Sequence, residues 1–134
     1  MNLSYLTRSF ERAAQSAGYE FASATKEYLP TQIASFPAVF LLTPSCCSVE
    51  GRNSGKLTYR ITLHLMSKGA IRAPANRDTL LDRLETDALT IFASIAACHR
   101  ILAVENLTLT PAALPLTARG DVSMTVTADV VTEF

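Results

Sequence analysis

The clearest hydrophobic pattern in the chain lies over residues 57–66. Apolar and mostly polar positions alternate there, and the apolar positions are Leu57, Tyr59, Ile61, Leu63 and Leu65. A period of two predicts a β-strand with one buried face, because successive side chains of a strand point to opposite sides of the sheet. We therefore expect this strand to carry much of the core.

The segment that follows has a helical pattern. Apolar residues recur at spacings of three and four over residues 80–95, which places them along one side of a helix. We predict a helix from Arg77 to Ala97 or Cys98, with Asn76 or Asp78 as its N-cap. A one-faced strand and a one-faced helix can bury each other, so the pair predicts the nucleus of an α+β domain.

The remaining elements are predicted from shorter patterns. Apolar residues at helical spacing indicate a first helix over Leu3–Ala17, followed by a short strand near Tyr19–Ser23. The apolar run Phe36–Leu42 is typical of a strand buried on both faces. Two further strands are expected, one over Ile101–Thr110 and one from Val122 nearly to the C-terminus.

The segment Pro44–Lys56 is rich in Ser, Gly, Asn and charged residues, and we predict an extended hairpin loop there. The chain should form a single α+β domain over residues 1–134. We expect a mostly antiparallel sheet of about four or five strands with two helices packed on one face.

The net charge of the chain bears on which classes of partner it can bind. The chain has 12 Lys and Arg residues and 12 Asp and Glu residues, so its formal net charge is zero. Sequence-specific nucleic-acid binders usually carry a basic excess, and none is present. A near-neutral chain meets little electrostatic resistance to self-association. No export signal and no run of roughly 20 apolar residues is evident, so we expect a soluble, intracellular protein without a membrane partner.

Candidate chemistry is sparse. Cys46 and Cys47 could be redox or nucleophilic thiols, but no Lys, Arg or His adjoins them, and we interpret them as free bystanders. With His64, His99 and Cys98 they lack the paired ligand spacing of structural zinc sites.

A carboxylate pair for acid–base chemistry would need Glu85 with Asp82 or Asp87, but Asp82 and Glu85 are expected on the solvated face of the second helix. No phosphate-binding glycine motif or nucleophile elbow occurs in the sequence. We therefore predict no catalytic residues, no cofactor, no metal and no enzymatic activity.

A surface argument remains. In two of the predicted strands, the residues that alternate with the buried ones form the second face of the sheet. In the strand over residues 57–66 they are Thr58, Arg60, Thr62, His64 and Met66, and in the C-terminal strand they are Ser123, Thr125, Thr127, Asp129 and Val131. Such a threonine-rich face suits packing against another subunit, and an ordinary exposed sheet face explains it equally well.

The order of elements resembles the tail terminator, or tail completion, proteins of long-tailed bacteriophages and prophages, and related head–tail joining proteins. The resemblance rests on segments spread over most of the chain: Leu3–Ala17, Phe36–Leu41, Pro44–Lys56, Tyr59–Leu65, the helix with Asp78, Leu81, Leu84, Asp87 and Ile91, and a closing β pair after Ile101. It lies in the architecture, and no short diagnostic motif carries it.

The resemblance implies a non-enzymatic subunit of a homo-oligomeric ring, commonly a hexamer. The ring would cap the phage tail tube and meet the head–tail connector, in the virion tail and in the host cytoplasm during assembly. The interface residues that we predict are Arg52, Asn53, Ser54 and Lys56 in the hairpin and Arg60 and His64 on the sheet face. Alternatives are another connector or minor tail protein, and a small-molecule-binding or enzymatic domain with its site between helix and sheet.

Overall fold

A computed structural model describes residues 2–24, 36–51, 55–68, 74–112 and 122–133 of the chain. The helices are α1 (Asn2–Ser16) and α2 (Pro74–Ala96). The strands are β1 (Glu20–Ala24), β2 (Ala38–Leu42), β3 (Ser45–Gly51), β4 (Gly55–Ser67), β5 (Ile101–Pro111) and β6 (Val122–Glu133). The predicted α+β class is confirmed.

The strands form one sheet in the order β1-β2-β4-β6-β5, and β3 also pairs with β4. Among the described strand pairs, β1 and β2 are parallel and the other four pairs are antiparallel. Strands β4 and β5 run in the same direction on either side of β6, and α2 connects them. The longest hydrogen-bonded pair is β4 with β6, which runs from Lys56↔Glu133 to Ser67↔Val122.

The main core lies between the sheet and the two helices. From β4, Ile61, Leu63 and Leu65 are fully buried on this face, as the alternating pattern predicts. The predicted stripe of α2 is buried against them at Leu81, Leu84, Ala88, Ile91, Phe92 and Ile95. The helices also contact each other, with the Phe10 and Phe92 ring centroids 5.4 Å apart at an interplanar angle of 72°.

Helix α2 begins three residues earlier than the sequence pattern indicates. Its first residue is Pro74, and Asn76 and Asp78 lie inside the helix, so the capping prediction is wrong. The first helical position suits proline because no intrahelical partner exists there for the missing N–H group. The residues Arg77, Asp78 and Thr79 are exposed, so the apolar pattern does not mark this part of the helix.

The Pro44–Lys56 segment differs most from the prediction. Most of the expected loop is strand β3, which pairs with β4 from Ser45↔Arg60 to Gly51↔Gly55. Strand β2 pairs with the same edge of β4 further along, ending at Leu41↔Leu63. Strands β2 and β3 thus form one long arm of a hairpin, interrupted at Thr43 and Pro44. The sheet therefore has six strands and not the four or five expected.

Candidate interaction surfaces

Strand β3 is exposed along its whole length. Every residue from Ser45 to Gly51 is exposed, and the Val49 side chain is 65% exposed. Among the described strands β3 pairs with β4 alone, so its other edge offers free backbone N–H and C=O groups. The strand is ordered by the ladder to β4 and not by burial.

Two glycines shape the end of this hairpin. A Cβ atom on Gly55 would lie 1.8 Å from the carbonyl oxygen of Glu50, so only glycine fits that position without a shift of the backbone. Gly51, its cross-strand partner, has a φ of 105°, which side-chain-bearing residues rarely adopt. These two glycines therefore allow β3 and β4 to approach each other closely at the end of the hairpin.

The predicted interface residues fall into three groups. Arg52, Asn53 and Ser54 lie outside the described residues. Lys56 is exposed on β4, opposite Glu50 on one neighbouring strand and Glu133 on the other. Arg60 and His64 share the sheet face that points away from the helices, and they differ strongly in exposure.

That second face carries cross-strand rows of polar side chains. One row joins Thr62, Thr127 and Thr108, and the next joins His64, Thr125 and Thr110. The two sets that the sequence places on one face are therefore adjacent. His64 is only 6% exposed, and its Nδ1 atom is hydrogen-bonded to Thr125 Oγ1 at 3.0 Å, so little of its surface is available to a partner.

The buried end of this face is apolar. Ala38, Phe40 and Met66 form a second cluster of fully buried side chains, with Phe36, Ala22, Ala24 and Leu42 packed against it. Val39 and Leu41 of β2 belong to the main core and Ala38 and Phe40 to this second cluster, so the prediction of a strand buried on both faces is confirmed. The face thus passes from a buried apolar end at Met66 to an exposed end at Arg60.

The exposed end forms a polar concavity of about 360 Å³ lined by Arg60, Asn106, Thr108, Thr127 and Asp129. Arg60 Nε lies 3.6 Å from Asp129 Oδ1, and Asn106 donates a hydrogen bond of 3.0 Å to Asp129 Oδ2. Asn106 has a φ of 55° at an irregularity of the β5–β6 ladder. Because the Arg60 side chain is 66% exposed, the ion pair stabilises the fold little and leaves the arginine accessible.

The cysteine pair lies on exposed β3, where the ladder to β4 shifts register between Cys46 and Ser48. The Cys46 thiol donates weakly to the carbonyl of Ser48 at 3.5 Å, and the Cys47 thiol to that of Thr58 at 3.4 Å. Burial raises the pKa of Tyr59, the cross-strand partner of Cys46, and Cys46 raises it further. No cationic group contacts either thiol in the described part of the chain.

A pocket between α2 and the sheet matches the location of the alternative small-molecule site. It has a volume of about 360 Å³, and its lining includes Tyr19, Arg83 and Asp87. The Tyr19 hydroxyl donates a hydrogen bond to Asp87 Oδ2. Burial raises the pKa of Tyr19, and the bond to Asp87 raises it further, so Tyr19 is a neutral hydrogen-bond donor at ordinary pH.

The acidic residues of α2 divide as follows. Asp82 and Glu85 are exposed, as predicted, whereas Asp87 is half-buried by its contact with Tyr19.

No group of three or more His, Cys, Asp or Glu residues that could hold a metal occurs in the described ranges. No described helix is long and apolar enough to cross a membrane. Comparisons with models of known protein families and with curated proteins find no match for this chain.

Proposed function

We propose that the protein is a structural subunit of a phage or prophage, a tail terminator that assembles into a ring, caps the tail tube and joins it to the head connector. It acts by assembly in the virion tail and in the host cytoplasm, and it uses no cofactor. The proposal combines the resemblance in element order with one structural observation, the fully exposed strand β3. Another head–tail connector or a minor tail protein would use the same surfaces.

Strand β3 supports an assembly role because only the backbone ladder to β4, and no burial of its side chains, stabilises it within the described residues. All of its side chains are exposed, yet seven residues are held extended against β4. Ordering each residue costs about 1–2 kcal/mol of backbone entropy, and hydrophobic burial offsets none of it here. An open strand edge is also an aggregation hazard in a free monomer. A partner strand or surface that covers β3 accounts for both features.

The second face supplies a further contact of suitable character. Its threonine rows and the exposed Arg60 form a polar, half-buried surface beside the hairpin. The rim of a subunit interface is polar and accessible to solvent, as this surface is. We therefore place Lys56 and Arg60 at the edge of the assembly contact.

The test uses a variant of β3 with a matched control. Val49→Asp places a charge on the exposed strand, and Leu102→Asp does the same on β5, where Leu102 is 45% exposed. Both variants should fold like the wild type because neither side chain is buried. We expect wild type and Leu102→Asp to cap tubes assembled from a phage tail tube protein, seen by electron microscopy, and Val49→Asp to fail. Equal capping by all three proteins would remove β3 from the mechanism, and no capping by wild type would reject the terminator role.

The pocket at Tyr19 and Asp87 favours a second candidate, a small-molecule-binding domain. A ligand that enters this pocket would have to engage Arg83 or displace the Tyr19–Asp87 hydrogen bond. A thermal-shift screen of small anions and metabolites tests it. Stabilisation by a ligand that is lost in Tyr19→Phe would support this candidate.

A further inference from the structure

One side of helix α2 carries a row of acidic side chains, and exposed Arg77 and Arg83 lie on adjoining sides of the helix. On α2, Asp78, Asp82 and Glu85 are exposed and follow the spacing i, i+4, i+7, which places them along one side of the helix. We call these three residues the acidic stripe. None of the three forms an ion pair with a described residue.

The basic counterpart lies at the other end of α2. A groove of about 590 Å³ runs between α1 and the end of α2, lined by Tyr5, Ser9, Arg12, Ala13, Ser16, Ser94, Ala97, Cys98 and His99. None of these lining residues carries a carboxylate. The Arg100 guanidinium lies 5.5 Å from the centroid of the Tyr5 ring, and the His99 ring meets Tyr5 edge-on at 5.9 Å.

Arg8 extends this basic region along α1. It lines a neighbouring surface concavity together with Glu11, Arg12 and Gln15, so two arginines there face one carboxylate and the region keeps a positive balance. The Arg8 Nε atom donates to the carbonyl of Ser4 at 3.4 Å. Neither Arg8 nor Arg12 forms an ion pair with a described residue. We call the groove together with Arg8 and Arg100 the basic groove.

The two patches lie apart along α2. Glu85 and Ser94, where the groove begins on this helix, are nine residues apart, which corresponds to about 14 Å along the axis. At physiological ionic strength that distance exceeds the screening length of about 8 Å. The chain as a whole is neutral, so the separated patches are complementary between copies while copies as a whole do not repel each other.

We propose that a second copy of this chain occupies the basic groove with its acidic stripe. The stripe and the groove are different surfaces, so one copy can meet two neighbours. If it does, the contact is heterologous and generates a ring when its rotation closes, whereas a two-fold pairing of both patches gives a closed dimer. The inference rests on the proposed ring function and adds to it the subunit surfaces that meet. Leu89, which is 48% exposed one turn after Glu85, supplies an apolar contact beside the charged pairs.

Charge reversal tests this pairing. Arg8→Glu/Arg12→Glu reverses the groove, and Asp82→Lys/Glu85→Lys reverses the stripe, each at exposed positions or groove-edge positions that the core does not need. Either double variant alone should weaken self-association about tenfold or more, because like charges then face each other. The control, Lys68→Glu/Glu105→Lys, reverses two exposed charges outside both patches without changing the net charge, and it should associate like the wild type.

The decisive arm mixes the two reversed variants in equal amounts. In an alternating ring each stripe then meets a groove of opposite charge, so association should return to within about threefold of wild type while each variant alone stays weak. Analytical ultracentrifugation with one variant fluorescently labelled measures the association of the two variants in the mixture. Association of wild type should also weaken as salt is raised.

The outcomes separate this inference from the proposed function. A wild-type ring with both reversed variants assembling normally would overturn the stripe–groove contact and leave the ring intact. Loss of assembly in both variants without rescue in the mixture would also overturn it, because a complementary contact requires rescue. A wild type that does not self-associate at low salt would overturn the ring and the contact together. Rescue that stops at a dimer would replace the ring with a closed pair.

Discussion

Phe92→Ala measures how far the helix layer depends on its central aromatic contact. Phe92 is 3% exposed and fully buried Phe10 lies beside it, with the two rings edge to face at a centroid distance of 5.4 Å. Truncation removes most of a buried aromatic side chain and leaves a cavity that the rigid sheet beneath cannot fill. Phe→Ala changes in such settings cost about 3–5 kcal/mol, of which the aromatic pair accounts for about 0.5–1.5 kcal/mol.

Urea unfolding followed by circular dichroism measures this cost as a shift of the midpoint. Leu89→Ala is the matched control, since Leu89 is on the same helix and 48% exposed, and it should cost less than about 0.5 kcal/mol. A double-mutant cycle with Phe10→Ala should return a coupling of about 0.5–1.5 kcal/mol. A cost for Phe92→Ala below about 1 kcal/mol would refute the assignment of this helix face to the core.

Three further predictions concern the surfaces. Tyr19→Phe should cost about 1.5–3 kcal/mol at neutral pH, because the half-buried Asp87 carboxylate loses its donor, as urea unfolding would show. The raised pKa of Tyr19 means that wild-type stability falls as pH rises above about 10, where the unfolded tyrosine ionises and the folded one does not, and Tyr19→Phe should lose less there. Gly55→Ala should disorder the hairpin end, since its Cβ would lie 1.8 Å from the opposite carbonyl oxygen, and amide exchange over β3 should accelerate. Cys46→Ser/Cys47→Ser should assemble like the wild type by light scattering, and loss of assembly would give the thiols a role.

The sequence predicts those elements whose side chains divide between core and solvent. Strand β4 alternates because Ile61, Leu63 and Leu65 are buried against the helices, and α2 shows its stripe for the same reason. Strand β3 has no buried face, so neither a period of two nor a hydrophobic run marks it. Its order comes from backbone hydrogen bonds to β4, which side-chain patterns do not record.

For the candidate surfaces, the sequence predicts which residues share a face but not which residues distant in sequence contact each other. The shared face of Arg60 and His64 follows from strand alternation, but the burial of His64 depends on the non-local pairing with Thr125. The Tyr19–Asp87 contact joins residues 68 positions apart and has no local signal. The basic groove likewise exists only because α1 packs beside the end of α2.

The mass of the protein in solution tests the central claim, that this chain works by assembling into a ring. Multi-angle light scattering over a concentration series, at low and at physiological salt, gives that mass directly. The account predicts a discrete multiple of the 14.5 kDa chain, about 87 kDa for six copies, or a rise with concentration that levels off at one such mass. A constant mass of one chain at every concentration and at both salt levels would contradict it.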